Sequence, residues 1–404
     1  MESDKVVNRK MKIKRIVPSE CLIKNIIDKD FQSMIFPLNI FQSLFLISKF
    51  SITNNFITPK STIWHSIQSA IGTSVLVLSH FLRFFYYFNT LDGLRTTVVT
   101  FLLYFDLVFY CIISIIIYII SASQSGNTVE LIIRLQKVLN SIEIDKKPFY
   151  STIKIENFIS VVSILIVHIC FWLSLININL GFISAFISFL SSAPTMIFDL
   201  HIVTATRTVV LIKKELAAWN RILKGCKTIS IKTEEEIRNN EISGKVMFDA
   251  YIDILRAFRL SQKVYQFAVT CFGFQTFIHI LVNLQVVLEF GKSTTGSEFF
   301  QSLQIRLTTG AWNLKNFILL TTLSIACENF YGTVKVADSI CAQILNSVQT
   351  TDMHRACKNV LRVNRASFQK LSAYGLFEVE GVYPVRMLSG LVAYTVVLLQ
   401  FAFL

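Results

Sequence analysis

The chain has 404 residues, 53% of them hydrophobic and 16% charged, with a mean hydropathy of +0.55. A soluble domain carries about 25% charged residues, so this composition excludes an ordinary soluble enzyme or binding module. The formal net charge of +13 raises the question of a nucleic-acid partner, and its distribution along the chain argues against one.

The chain opens on a basic stretch that includes Lys5, Arg9, Lys10, Lys12, Lys14, Arg15, Lys24 and Lys29. No short apolar core with a small-residue cleavage site follows it, so no removable signal peptide is expected. With apolar runs downstream, the stretch reads as an arm on a membrane face. Eight apolar stretches follow, at 31–50, 62–86, 97–121, 156–177, 180–212, 265–290, 307–331 and 385–404. A span needs about 20 apolar residues to cross a hydrocarbon core of about 30 Å. Seven stretches meet that length. The first holds Gln32, Asn39, Gln42 and Lys49 and is interrupted by Pro37.

Lys and Arg collect in cytoplasmic loops. The segments 1–30, 123–155, 213–264 and 332–383 hold eight, five, eleven and six of them. The segments 87–96 and 291–305 hold one each, and 178–179 holds none. With every basic segment inside, an even number of spans must separate 1–30 from 123–155. The polar first stretch is then a helix at the inner surface, or only partly inserted. The expected fold is all-α and polytopic, with seven transmembrane helices, a cytoplasmic N-terminus and an extracellular C-terminus. Residues 1–61 are expected to form a cytoplasmic N-terminal segment with a short membrane-surface helix, and 62–404 the seven-helix membrane domain. The run 180–212 would be about 50 Å long as a helix, and 246–290 also reads as nearly continuous. Such helices project from the membrane, so parts of 213–264 and 332–383 are expected to build a cytoplasmic helical anchor. The polar patch 233–241 reads as a loop. All eight cysteines fall in spans or basic segments, so no extracellular disulfide framework is expected.

No enzyme signature is present: there is no HExxH, phosphate-binding Gly loop, GxSxG or CxxC. The six histidines lack metal-ligand spacing. We therefore expect no catalysis, cofactor or metal. Polar groups inside spans are costly and often functional. Asp106 lies in the middle of one apolar run and serves a ligand pocket, or pairs with another span, for example with Lys315. His168 and Trp172 share a helix face. Trp312, Asn313 and Asn316 lie in the outer half of another span, with Lys315 beside them. Rings and amides suit a small polar ligand, although packing or an interfacial belt accounts for the same residues. Arg207, near an inner end, snorkels or pairs with Asp199.

The last span, 384–404, starts from Arg386. Val397, Gln400, Phe401 and Leu404 share one face at i, i+3, i+4, i+7 spacing. Gln400 would be unsatisfied in lipid. One helix cannot enclose a pore, but several copies around an axis can, with apolar rings gating by dewetting. An interfacial Gln at the membrane edge is the plainer alternative.

Tyr394, five residues, then Gln400-Phe401 resembles the C-terminal signature of insect gustatory receptors. Ala393 stands where that family usually has Thr, and Thr395 makes one intervening residue polar. Ala373-Tyr-Gly375-Leu-Phe377 looks like the family's small-x-Gly-x-Phe stretch, and 36–50 resembles its N-terminal segment. The resemblance implies a ligand-gated, non-selective cation channel in the plasma membrane of sensory neurons, opened by a small-molecule tastant. It implies a homotetramer, or a heteromer with other gustatory receptors, whose last spans line the pore. By position, Val397, Gln400 and Phe401 would line the gate, with Tyr394 packed behind it. The sugar-sensing branch often has Glu after the motif Tyr, where this chain has Thr395. The ligand classes left open are a polar sugar, a bitter compound and an internal nutrient. Two other readings stand beside this one: an odorant-receptor-type subunit that needs a co-receptor, and a membrane transporter or scaffold.

Overall fold

A computed structural model describes residues 25–45, 47–60, 63–90, 97–142, 146–176, 182–229, 244–290, 297–346 and 351–403. The basic head and the patch 233–241 lie outside these residues. The described residues are almost wholly helical. In order it forms α1 (Lys29–Leu44), β1 (Phe50–Thr53), β2 (Phe56–Pro59), α2 (Ile63–Thr90), α3 (Thr97–Ser123), α4 (Ser125–Ser141), α5 (Lys146–Ile176), α6 (Phe182–Ile229), α7 (Gly244–Phe290), α8 (Ser297–Leu345), α9 (Thr351–Ser367) and α10 (Tyr383–Phe403). Each of the seven expected spans is a helix. Among the described residues, six helices (α2, α3 and α5–α8) are long and apolar enough to cross a membrane. At 1.5 Å per residue, the 21 residues of α10 reach about 31 Å.

The outer faces of α2, α3 and α5 carry exposed Val75, Leu82, Val108, Ile112, Ile159 and Ile166. That is the surface a lipid solvent selects. The long helices behave as the sequence suggests. α6, α7 and α8 have 48, 47 and 49 residues, about 72 Å each, more than twice the hydrocarbon thickness. Their excess length packs with α4 and α9 into a base whose core resembles that of a soluble bundle. Trp219 is buried there, donates to the Met247 carbonyl at 2.8 Å and lies 4.8 Å from the Tyr251 ring. Tyr251 donates to Asn364 at 2.8 Å, and Asn364 to Asp338 at 2.7 Å. Phe258, Phe330, Tyr331 and Phe368 stack into one aromatic cluster. Arg134 and Lys137 of α4 close on Asp253 at 2.7 and 2.6 Å.

The first stretch departs from expectation in two ways. α1 runs through Pro37 without ending. A proline ring disturbs the preceding turn of a helix. Here Asn157 of α5 donates to the Met34 carbonyl within that turn at 2.9 Å. At 16 residues α1 is too short to span, and it buries Phe31 and Met34 in the same core as the base. The chain then forms a β-hairpin that the hydropathy pattern does not reveal. Its two-residue loop, Asn54-Asn55, has φ of 51° and 67°. Positive φ at both loop positions is what a tight hairpin requires, and Asn tolerates it. Phe50 pairs with Pro59 and Thr53 with Phe56.

Six cysteines are free among the described residues. Arg207 does not pair with Asp199. It bonds Glu156 and Asn157 of α5, and Lys214 reaches the same Glu156 at 2.7 Å.

Candidate functional site

Six helices converge on one cavity of about 210 Å³. It lies toward the end of the bundle away from the base. α2 supplies Arg83, α3 Asp106 and Tyr110, α5 His168, Phe171 and Trp172, and α6 Ser192 and Thr195. α7 supplies His279 and Asn283, and α8 Thr308, Thr309 and Trp312. The lining residues lie about one to four turns from the same-side ends of these helices. Pro194 sits in α6 between its two lining residues, where a missing N–H and the ring loosen the helical ladder.

Aromatic side chains form much of the wall. The Trp312 indole meets Phe171 edge-on at 4.9 Å and the His168 ring at 5.6 Å. Trp172 contacts Phe189 at 5.4 Å. The charges behind this wall are paired. His168 Nε2 lies 2.9 Å from Asp199 Oδ2, and Lys315 Nζ lies 2.5 Å from the same oxygen. The Lys315 ammonium also sits 3.8 Å from the Trp312 ring centroid, a cation–π contact. Across the cavity, His279 Nε2 lies 3.0 Å from Asp106 Oδ1. Neither atom meets hydrogen-bond geometry there, so the contact is a close ion-pair distance without an aligned bond. Tyr110 stacks on His80 at 5.0 Å and accepts a bond from Gln275.

The structure brings together four of the five ligand-site residues expected from sequence: Asp106, His168, Trp172 and Trp312. Asn316, one turn from Trp312, is buried outside the cavity, and its amide atoms have no protein partner among the described residues. The Asp106–Lys315 pair, an example of one of the two alternatives for Asp106, is not seen. Lys315 belongs to Asp199, and Asp106 faces His279. Arg83, Tyr110, His279 and Asn283 were not singled out. Only their position as polar groups inside apolar runs could have marked them.

A larger cavity of about 1110 Å³ lies between α3, α7 and the start of α10. Its walls are almost all apolar, with Phe105, Phe109, Phe274 and Phe277 among them. Its rim residues Phe101, Val108 and Ile112 are exposed. It lacks the convergent polar groups that orient a specific ligand, so the smaller cavity is the better candidate.

Of the residues expected at a gate, Tyr394, Val397 and Gln400 are exposed on α10, and Tyr394 touches Phe277 edge-on at 6.0 Å. Phe401 is within the helix, and its side chain lies outside the described residues. α10 buries Met387 and Leu391 against the rest of the chain and leaves Val385, Leu388, Val392 and Val396 exposed.

No protein-family model matches the chain, and no curated protein is similar to it in sequence. Solved structures are similar in fold. The insect olfactory receptor OR5 from Machilis hrabei, in complex with eugenol, superposes with a TM-score of 0.61 at 15% identity, covering 92% of this chain and all of that one. The structure described as the same receptor without a named ligand gives a TM-score of 0.58 at 13% identity, with the same coverage. The chain has the fold of an insect olfactory receptor. It is a multi-pass membrane protein of that architecture.

Proposed function

We propose that the chain is a subunit of a ligand-gated, non-selective cation channel, opened by a small molecule in the cavity between α2, α3 and α5–α8. The observation that carries this reading is the cavity itself. It is aromatic-walled, it holds Asp106 and His279 at one side, and it sits in a fold shared with a receptor solved with eugenol. A hydroxylated or amine-bearing molecule with an apolar body suits such walls.

The exposed faces of α10 support assembly of several copies around an axis, with Val397, Gln400 and Phe401 toward the pore. A homotetramer, or a heteromer with related subunits, satisfies that geometry. With the basic segments inside, the cavity faces outward and the base lies in the cytoplasm, beneath a plasma membrane. α8 supplies a link between cavity and gate. It carries Trp312 near one end, and further along Glu328 and Tyr331 hold the approach to α10. Glu328 accepts the Gly381 N–H at 3.2 Å, and Tyr331 donates to the Val379 carbonyl at 3.0 Å. A ligand that prefers the open state shifts the equilibrium by its differential affinity. Movement of α8 would carry α10 with it.

The C-terminal Tyr394…Gln400-Phe401 pattern favours a gustatory role in sensory neurons, with a tastant as ligand. The fold favours equally an odorant-type subunit that conducts with a co-receptor. Recording currents from cells expressing the chain alone and then with a co-receptor separates the two. Current without a partner supports the gustatory type, and current only with a partner supports the odorant type. Neither reading assigns an enzymatic activity.

A further inference from the structure

A second polar cavity lies where the base meets the apolar part of the bundle, next to the ligand cavity along α6 but lined by different residues. It is lined by the hairpin approach (Ser48, Lys49, Lys60), the first turns of α2, the end of α3 and the Pro194 region of α6. Its volume of about 40 Å³ is room for about three water centres, which is the scale of one phosphate group.

The charge balance of this cavity is unusual. Lys49, Lys60 and His65 line it, and no carboxylate does. The hairpin forces the first two together. Phe50 pairs with Pro59, so Lys49 and Lys60 come next in register, and the Lys60 N–H donates to the Lys49 carbonyl at 3.2 Å. Like charges opposite each other on a strand pair are destabilising. Lys49 is 4% exposed. Its ammonium turns toward α7, 3.5 Å from the Val264 carbonyl and 5.1 Å from the Tyr265 ring, and has no carboxylate partner among the described residues. A buried ammonium needs a counter-charge, and burial alone pulls its pKa down to about 8. Burial also lowers that of Lys60. Hydroxyls of Ser69, Thr73 and Ser121 complete the wall.

We propose that this pocket binds a phosphate group, carried by an anionic phospholipid of the leaflet beside the base. The lipid source follows from the mouth. Ile63 and Trp64, the latter 69% exposed, immediately precede His65 at the start of α2, and an exposed Trp at a span's end marks the headgroup level. Two cations and several hydroxyls match the charge and acceptors of a phosphomonoester. The occupant would neutralise the Lys49–Lys60 repulsion and tie the hairpin to α2, α3 and α6.

The test uses the purified full-length chain in detergent. Short-chain phosphatidylinositol bisphosphate is titrated against short-chain phosphatidylcholine, with inositol trisphosphate as competitor. The phosphoinositide is expected to bind saturably, and phosphatidylcholine is not. Lys49→Met and Lys60→Gln are each expected to weaken binding at least tenfold. The basic N-terminal stretch is present in every variant, so its contribution cancels in the comparison. Ser121→Leu fills the cavity without changing charge and should weaken binding as much, which covers the case in which Lys49→Met does not fold. Inositol trisphosphate binding as tightly as the lipid would keep the phosphate site and overturn the lipid source. Equal binding of phosphatidylcholine, or unchanged affinity in the monodisperse variants, would overturn the site.

Discussion

Asp199 on α6 and Lys315 on α8 form a buried ion pair, with the Lys315 ammonium set against the Trp312 indole. The pair joins two long helices directly behind the cavity wall and orients His168 as well. Removing one partner of a buried pair leaves an uncompensated charge, at a cost of about 3–5 kcal/mol, whereas replacing both with apolar groups is far cheaper. Lys315→Met should therefore lower the thermal unfolding temperature markedly. Adding Asp199→Leu to it should restore most of the loss. Thermal unfolding of the four proteins in detergent closes the cycle.

The cavity wall makes a separate prediction. Trp312→Ala removes the ring that covers one side of the cavity and screens Lys315. Asp106→Asn removes the charge opposite. Each should raise the half-maximal ligand concentration at least tenfold, about 1.4 kcal/mol, with surface expression retained. Asn316 does not line the cavity, so Asn316→Ala should leave the ligand concentration dependence nearly unchanged. Concentration–response curves in transfected cells measure all three.

The approach to α10 is pinned by Glu380, which Lys370 meets at 2.6 Å and Arg386 at 2.8 Å. The Lys370 hydrogen bond, then its charge and that of Arg386, hold the Glu380 carboxyl below the usual carboxylate range. A depressed carboxyl pKa adds stability that is present above the unfolded value and lost as pH falls through the folded one. Wild type should exceed Glu380→Gln in thermal stability at neutral pH. The gap should close as the pH drops below about 4. A constant gap across that range would count against the pairing.

In the base, Tyr251 bridges Trp219 and Asn364. Tyr251→Phe keeps the ring and loses the hydroxyl bond, and should cost about 1 kcal/mol. Trp219→Ala should cost about 3–5 kcal/mol through the cavity it leaves. Both are measured by thermal unfolding, and size-exclusion chromatography of Trp219→Ala reports whether the base holds copies together.

The helices were legible because a membrane span needs a long apolar run and little else, and 97–121 or 307–331 can hardly be read otherwise. The base was legible from length: a 48-residue helix cannot end within a bilayer. The hairpin was not found, although Asn54-Asn55 between two short β-branched and aromatic runs is a turn signal. It follows directly on the weakly apolar stretch 31–50 and fills the short gap before the span that starts at 62. Pro37 was read as an interruption, yet tertiary contact from Asn157 accommodates it. Partner choice was the least legible level. Asp106, Asp199, Lys315 and Arg207 each stood out as charges in apolar runs, but which met which depends on helix rotation, and one sequence does not encode that in any local pattern. For the same reason Asp106, His168, Trp172 and Trp312 could be named, whereas His279 and Arg83, which share their cavity, could not.

The most direct test of the central claim is whole-cell recording from cells expressing this chain, alone and with a co-receptor, against a panel of sugars, bitter compounds and volatile phenols. The account predicts a ligand-evoked, non-selective cation current in one of these settings, abolished or made constitutive by Phe401→Ala. No current from surface-expressed protein in either setting across the panel, or a ligand-evoked current that Phe401→Ala leaves unchanged, would contradict it.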